Sequence, residues 1–156
     1  MKITTAHPRT PSLLITGQIL GAALTATMGW IHLQLWLHGY REIPVIGTLF
    51  LLDTVGAGFL LAALAAVPAR LRSTTTGITA VFTAGTLAGL ILSLTVGLFN
   101  VHESLHTPLV PTTLVVESAG VLVLTLTAIL GFTSPRRSDP QQTPTPKPQH
   151  KGQCHG

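Results

Sequence analysis

Charged residues are scarce in this chain. Of its 156 residues only 9% are Asp, Glu, Lys or Arg, whereas 46% are hydrophobic. Soluble domains carry roughly 25% charged residues. So few charges cannot cover a surface that faces water, but the same composition suits a surface that faces lipid. The composition therefore excludes an ordinary water-soluble domain and predicts an integral membrane protein in contact with the lipid bilayer.

Cysteine is scarcer still, because Cys154 is the only one. An intrachain disulfide is thereby excluded, and the redox compartment cannot be inferred. The chain has nine basic and five acidic residues, but the basic residues are scattered over short segments. A nucleic-acid-binding surface needs basic residues together on one face. We therefore expect no nucleic-acid partner.

Long apolar runs, in contrast, occupy most of the sequence. There are four of them, at about 13–37, 45–67, 77–99 and 109–132. Each exceeds the ~20 residues that a helix needs to cross the hydrocarbon core, and short connections make sequential helices antiparallel neighbours. The first run is too long for the ~7–15-residue core of a signal peptide, so we interpret it as a retained span. The sequence predicts an all-α fold, a four-helix transmembrane bundle over 13–133.

The basic residues also predict the orientation of the bundle. In a four-span protein one side would contain the basic residues Lys2, Arg9, Arg70, Arg72, Arg136 and Arg137. The opposite side has only Arg41, next to Glu42. By the positive-inside rule, both termini are predicted to be cytoplasmic: the segment 1–12 and the tail 134–156. We expect the plasma membrane as the location.

The tail 134–156 is polar and rich in proline. Such a segment cannot bury enough apolar area to offset the entropy of ordering it, so we predict that it is disordered. It ends in His150, Cys154 and His155, which suggest soft-metal binding, but no closed ligand spacing is present. We interpret it as a solvated tail.

Two of the runs carry small residues at every fourth position, which defines a glycine stripe on each. The stripe of the first run is Gly17, Gly21, Thr25 and Gly29, and that of the third is Gly85, Gly89, Ser93 and Gly97. Small residues at this spacing form a groove that lets another helix approach closely. The stripes predict contacts between these two helices or with a second copy, unless glycine is simply common in the spans.

Three ionisable residues lie inside the predicted spans: His32, Asp53 and Glu117. Each costs ~2.5–3.5 kcal/mol on insertion scales, and such residues are candidates for a functional site. At ~1.5 Å per residue, all three fall at a similar depth in the outer half of the membrane. They are candidates to hold a metal, pass a proton or contact a quinone headgroup. The alternative is that they hydrogen-bond within the protein and set the register of the helices.

The stretch from His102 to His106 reads H-E-x-x-H. On a helix this spacing presents two imidazoles to zinc and a carboxylate, here Glu103, to the zinc-bound water. Pro108 would stop such a helix early, and a third ligand is still required. Candidates for that ligand at the same end of the bundle are His38, Glu42 and Glu117. A zinc or copper site is therefore one hypothesis, and a coincidental match in a histidine-rich end is the other.

The stretches "GWIHLQLWLHGYREIPVIGTLFLL" and "GLFNVHESLHTPLV" resemble a group of small four-span membrane proteins of actinobacteria. The resemblance covers roughly residues 30–124. The group has no established activity, so the resemblance implies a membrane location and an architecture but no substrate. The "HE" of the group does not generally come with the second histidine, His106, which weighs against a protease.

The sequence thus favours a small multi-pass membrane protein without catalysis, an accessory or assembly component with an outward-facing proton or metal site. Its partners would be lipid and either a second copy or a larger membrane complex. One alternative is a minimal membrane zinc hydrolase that uses residues 102–106. The other is an oligomeric, proton- or metal-coupled small transporter, since four spans would need to dimerise to form a pathway.

Overall fold

A computed structural model describes residues 10–99 and 102–134. Within these ranges the chain forms four long helices and no strand: α1 (Thr10–Leu37), α2 (Ile46–Ala66), α3 (Arg72–Thr95) and α4 (Val110–Thr133). All four are long and apolar enough to cross a membrane, which confirms the predicted all-α transmembrane bundle. The predictions for the N-terminal segment through residue 9, and for the tail with His150, Cys154 and His155, lie outside the described residues.

Helix α3 begins and ends earlier than the predicted 77–99. It begins early because Thr75 and Thr76 donate their hydroxyls to backbone carbonyls one turn back, at 3.1 and 2.8 Å. These bonds satisfy the polar side chains inside the helix. It ends early because Gly97 has a φ of 82°, the left-handed conformation that commonly follows a helix C-terminus.

Helix α1 lies at the centre of the packing. It packs along both α2 and α4, α4 packs along α3, and α2 and α3 touch each other little. The contacts between α1, α2 and α4 bury Met28, Ala57 and Leu124 almost completely. The side of the bundle between α2 and α3 is consequently the least closed.

The glycine stripe of α1 is used inside the bundle. A Cβ added at Gly21 would lie 2.5 Å from Cδ2 of Leu124 on α4, and one added at Gly29 would lie 2.9 Å from Cβ of Ala57 on α2. Gly17 likewise lies against α4. The missing side chains therefore set how closely α1 approaches both neighbours.

The stripe of α3 has different surroundings. A Cβ added at Gly85 or Gly89 would meet nothing within 4 Å among the described residues. Ser93 is buried near the end of α3. Gly97 lies beyond that end, and a Cβ added to it would lie 2.5 Å from Nε2 of His102. The two stripes thus have different neighbours within one chain, and contact with a second copy stays a prediction.

The outer surface of the bundle is apolar. Large hydrophobic side chains point away from the core on every long helix, among them Ile19, Phe59, Val81 and Val115, with exposed fractions of 66%, 74%, 74% and 68%. In water this surface would aggregate, whereas in a bilayer it contacts acyl chains. The chain is a multi-pass membrane protein.

The unequal surroundings of the glycines predict unequal tolerance to substitution. Gly21→Leu forces a side chain into the packed contact with Leu124, so we expect it to lower the unfolding free energy by roughly 1–3 kcal/mol or more. Gly89→Leu enters open space, so the fold should persist. Thermal unfolding in detergent, followed by circular dichroism, measures both. Equal losses of stability for the two variants would contradict this packing.

Candidate functional site

Three helices bring His32, Asp53 and Glu117 together inside the bundle. Nε2 of His32 on α1 lies 3.8 Å from Oδ2 of Asp53 on α2 and 3.7 Å from Oε1 of Glu117 on α4. The other ring nitrogen, Nδ1, lies 3.0 Å from the backbone carbonyl oxygen of Met28. Since a carbonyl only accepts hydrogen bonds, Nδ1 carries a proton and donates it. The imidazole is thereby oriented with Nε2 facing both carboxyl groups.

Glu117 is the most enclosed member of this histidine–carboxyl cluster. Its side chain is fully buried, and neither carboxyl oxygen has a hydrogen-bond partner of good geometry among the described residues. The Thr86 hydroxyl is close enough to interact with it, but that hydroxyl donates to the Thr83 carbonyl at 2.8 Å. Because a buried carboxylate without donors is costly, this position is not explained by packing alone.

A second polar pair lies between the helix ends, in the connections 38–45 and 96–109. We name this side of the bundle the Tyr40 end. The Tyr40 hydroxyl donates a short hydrogen bond to Oε1 of Glu103, and the backbone N–H of Glu103 donates to the Ser93 carbonyl at 3.2 Å. The end of α3 thus holds the backbone of Glu103, whose carboxylate faces Tyr40.

Phe50 stands between the two polar groups. Its ring centroid lies 5.2 Å from that of His32 and 4.8 Å from that of Tyr40. A cavity of about 380 Å³ between α2 and α3 is lined by His32 and Asp53 at its inner end and by Tyr40 and Glu103 at the Tyr40 end. The cavity therefore joins the cluster to the end of the bundle.

The H-E-x-x-H stretch does not have the geometry of a zinc hydrolase. Residues 102–109 form turns and irregular backbone and no helix, so His102 and His106 are not held one helical turn apart. Both histidines are exposed, and Glu103 faces Tyr40. Within the described ranges, no group of three or more His, Cys, Asp or Glu side chains is arranged to hold a metal ion.

Two other candidate ligands point elsewhere. Nδ1 of His38 donates to the Gln34 carbonyl at 2.7 Å, and Glu42 pairs with Arg41 at 2.9 Å. Both side chains are exposed, and neither lines the cavity. They do not join the histidine–carboxyl cluster.

Sequence reasoning missed the pairing of Tyr40 with Glu103. In the sequence, Tyr40 stands alone shortly after the first apolar run, and Glu103 is part of the H-E-x-x-H stretch. The available signal was topological, because both residues lie in connections predicted to share one side of the membrane. A phenol and a carboxylate at the same end of a small bundle are candidates for a hydrogen bond.

Comparisons with protein-family models, with curated proteins and with solved structures find no match to this chain. The fold and the cluster define a small multi-pass membrane protein with a histidine between two carboxyl groups.

Tyr40 permits a direct test of the pair, because it is the only tyrosine. Burial first, and then the hydrogen bond to and the negative charge of Glu103, raise the pKa of the Tyr40 phenol. The protonated phenol is favoured by folding. Its contribution to stability is therefore fully present below the ordinary pKa of about 10 and is lost as the pH rises through the raised pKa.

We therefore expect the phenolate absorbance to appear above pH ~10. Glu103→Gln removes the charge, so the midpoint should fall toward the ordinary value while burial keeps it above that value. Glu42→Gln is the matched control, because it removes an exposed carboxylate from the connection that contains Tyr40. It should leave the midpoint unchanged. An ordinary midpoint in the unmodified protein would contradict the pairing.

Proposed function

We propose that this protein is a small accessory component of the plasma membrane, with both termini in the cytoplasm, whose histidine–carboxyl cluster holds and exchanges protons. The observation that carries the proposal is the orientation of His32, with Nε2 lying 3.7 and 3.8 Å from two carboxyl groups on different helices.

Charge balance supports an exchanging site. Nδ1 already carries one proton, so further protons are shared among Nε2, Asp53 and Glu117. A net charge in a low-dielectric interior is costly. Neutrality requires two protons on these three positions, either with an imidazolium and one carboxylate or with a neutral imidazole and two carboxylic acids. Two protons on three positions always leave one position free to accept.

The two carboxyl groups differ in exposure, and this difference indicates the order in which a proton would reach them. The Asp53 side chain is 27% exposed, whereas Glu117 is 0% exposed. Asp53 also lines the cavity that reaches the Tyr40 end. Protons therefore enter through Asp53 and pass by way of His32 to Glu117, which stores them.

Infrared spectroscopy tests the proton count. In nanodiscs at neutral pH the unmodified protein should show a protonated-carboxyl band, because the cluster retains protons to stay neutral. Asp53→Asn and Glu117→Gln should each reduce that band. Glu42→Gln should leave it unchanged, because Glu42 is exposed and paired with Arg41. Absence of the band in the unmodified protein would refute the proton site.

The single cysteine tests the orientation. A membrane-impermeant maleimide added to intact cells should leave Cys154 unlabelled, and labelling should appear only after the membrane is opened. Ser104→Cys in a Cys154→Ser background places the thiol at the Tyr40 end and should react in intact cells. Labelling of Cys154 in intact cells would place the Tyr40 end on the cytoplasmic side and reverse the proposed direction.

A further inference from the structure

The cavity between α2 and α3 exists because side chains are missing from its α3 wall. Gly85 and Gly89 line it, and neither would meet a neighbour within 4 Å if it carried a Cβ. The volume of about 380 Å³ falls within the ~300–1,000 Å³ typical of small-molecule sites. Val81, which also lines it, is 74% exposed on the outer surface. The α3 wall of the cavity is therefore part of the surface that faces lipid.

Apart from the two exchangeable protons of the histidine–carboxyl cluster, the polar lining groups use their hydrogens within the protein. The donors with a partner are Nδ1 of His32 on Met28, Tyr40 on Glu103, Thr86 on Thr83 and Thr113 on Leu109. Ser93 is also engaged. The Asp53 carboxyl, in contrast, accepts no hydrogen bond from the described residues. A ligand with only acceptor oxygens, such as a quinone, would find donors only in the exchangeable protons of the cluster.

The charges of the lining point the same way. Its acidic members are Asp53 and Glu103, and no lysine or arginine lines the cavity among the described residues. The aromatic rings of Tyr40, Phe50 and Phe82 line it as well, and aromatic faces attract cations. An apolar space with carboxylates and aromatic rings is complementary to an apolar cation.

We propose that the cavity binds a lipophilic organic cation with its charge against Asp53, in exchange for a proton of the histidine–carboxyl cluster. The inference rests on the proposed proton site, because the same carboxyl groups serve both. One cation enters as one proton leaves, so the charge of the site is conserved. The groups that face Asp53 are His32 from α1 and Glu117 from α4, with Tyr40 and Glu103 at the mouth. The only charged residue of α3, Arg72, lies at its opposite end.

The test measures equilibrium binding of tetraphenylphosphonium to the full chain in nanodiscs, with empty nanodiscs as background. Tetraphenylborate, of the same shape and opposite charge, is the matched probe. We expect saturable binding of the cation only. Its affinity should fall by up to roughly tenfold per pH unit on acidification, as competition with one proton requires, and about one proton should be released per bound cation.

Variants separate the site from nonspecific partitioning. Asp53→Asn should weaken cation binding by roughly tenfold or more, the effect of losing a charge-assisted contact, and Glu42→Gln should leave it unchanged. Gly89→Leu fills the cavity without touching the carboxyl groups, so it should abolish cation binding and keep the protonated-carboxyl band.

Three results would overturn the inference: equal binding of tetraphenylborate, cation affinity unchanged by Asp53→Asn and Gly89→Leu, or no saturable cation binding. A short-chain benzoquinone that binds where the cation does not would also overturn it. If the unmodified protein does not bind the cation but still shows the infrared band, the proposed ligand is wrong and the proposed proton site stands. If the infrared band is absent as well, both the proposed ligand and the proposed proton site are wrong.

Discussion

The bundle depends on one constraint, that a polar group within a bilayer must be satisfied by other parts of the protein. His32 meets it at Nδ1, which donates to the Met28 carbonyl, and its Nε2 lies within ion-pair distance of two carboxyl groups. Since Asp53 and Glu117 belong to α2 and α4, this arrangement places α1 between those helices. Helix α3 is attached mainly through α4, which leaves the α2–α3 side as the place where a cavity forms.

The threonines of α3 satisfy the same constraint through hydrogen bonds within their own helix. Thr79 and Thr83 are almost fully buried, and each donates to a backbone carbonyl one turn earlier, at 2.9 and 3.0 Å. Nothing about them is left unsatisfied. Glu117 is equally buried but lacks such bonds. The difference marks Glu117 as part of the candidate site, because a buried carboxyl without hydrogen bonds calls for an explanation such as a bound proton or a functional role.

Much of this architecture follows from the length of the apolar runs and from the depth of residues within them. Counting residues from the span ends placed His32, Asp53 and Glu117 at one level, because helix rise is constant. Rotation of each helix about its axis could not be derived in this way. Gly21 and Gly89 each belong to a stripe of small residues spaced four apart, yet Gly21 contacts α4 and Gly89 lines the cavity. Spacing determines which residues share a face, but the partner of that face depends on the whole packing.

The connections were the least predictable part for a related reason. H-E-x-x-H requires a continuous helix to act as a zinc motif, but the positive φ of Gly97 ends α3 before His102 is reached. Sequence spacing carries no information about a motif when the backbone that should display it is irregular. The same interruption turns Glu103 toward Tyr40 and gives the carboxylate a phenol as its partner.

The Tyr40–Glu103 pair and the histidine–carboxyl cluster differ in how their carboxyl groups are hydrogen-bonded. At the Tyr40 end, the Tyr40 hydroxyl donates a hydrogen bond to Glu103. Deeper in, no hydroxyl of good geometry serves Glu117, so charge there must be balanced by protons or by a cation. The lining of the cavity thus has carboxyl groups at both levels and no lysine or arginine among the described residues. In the proposed exchange, a proton and a lipophilic cation balance the same carboxylate charge, and an anion could balance neither carboxyl group.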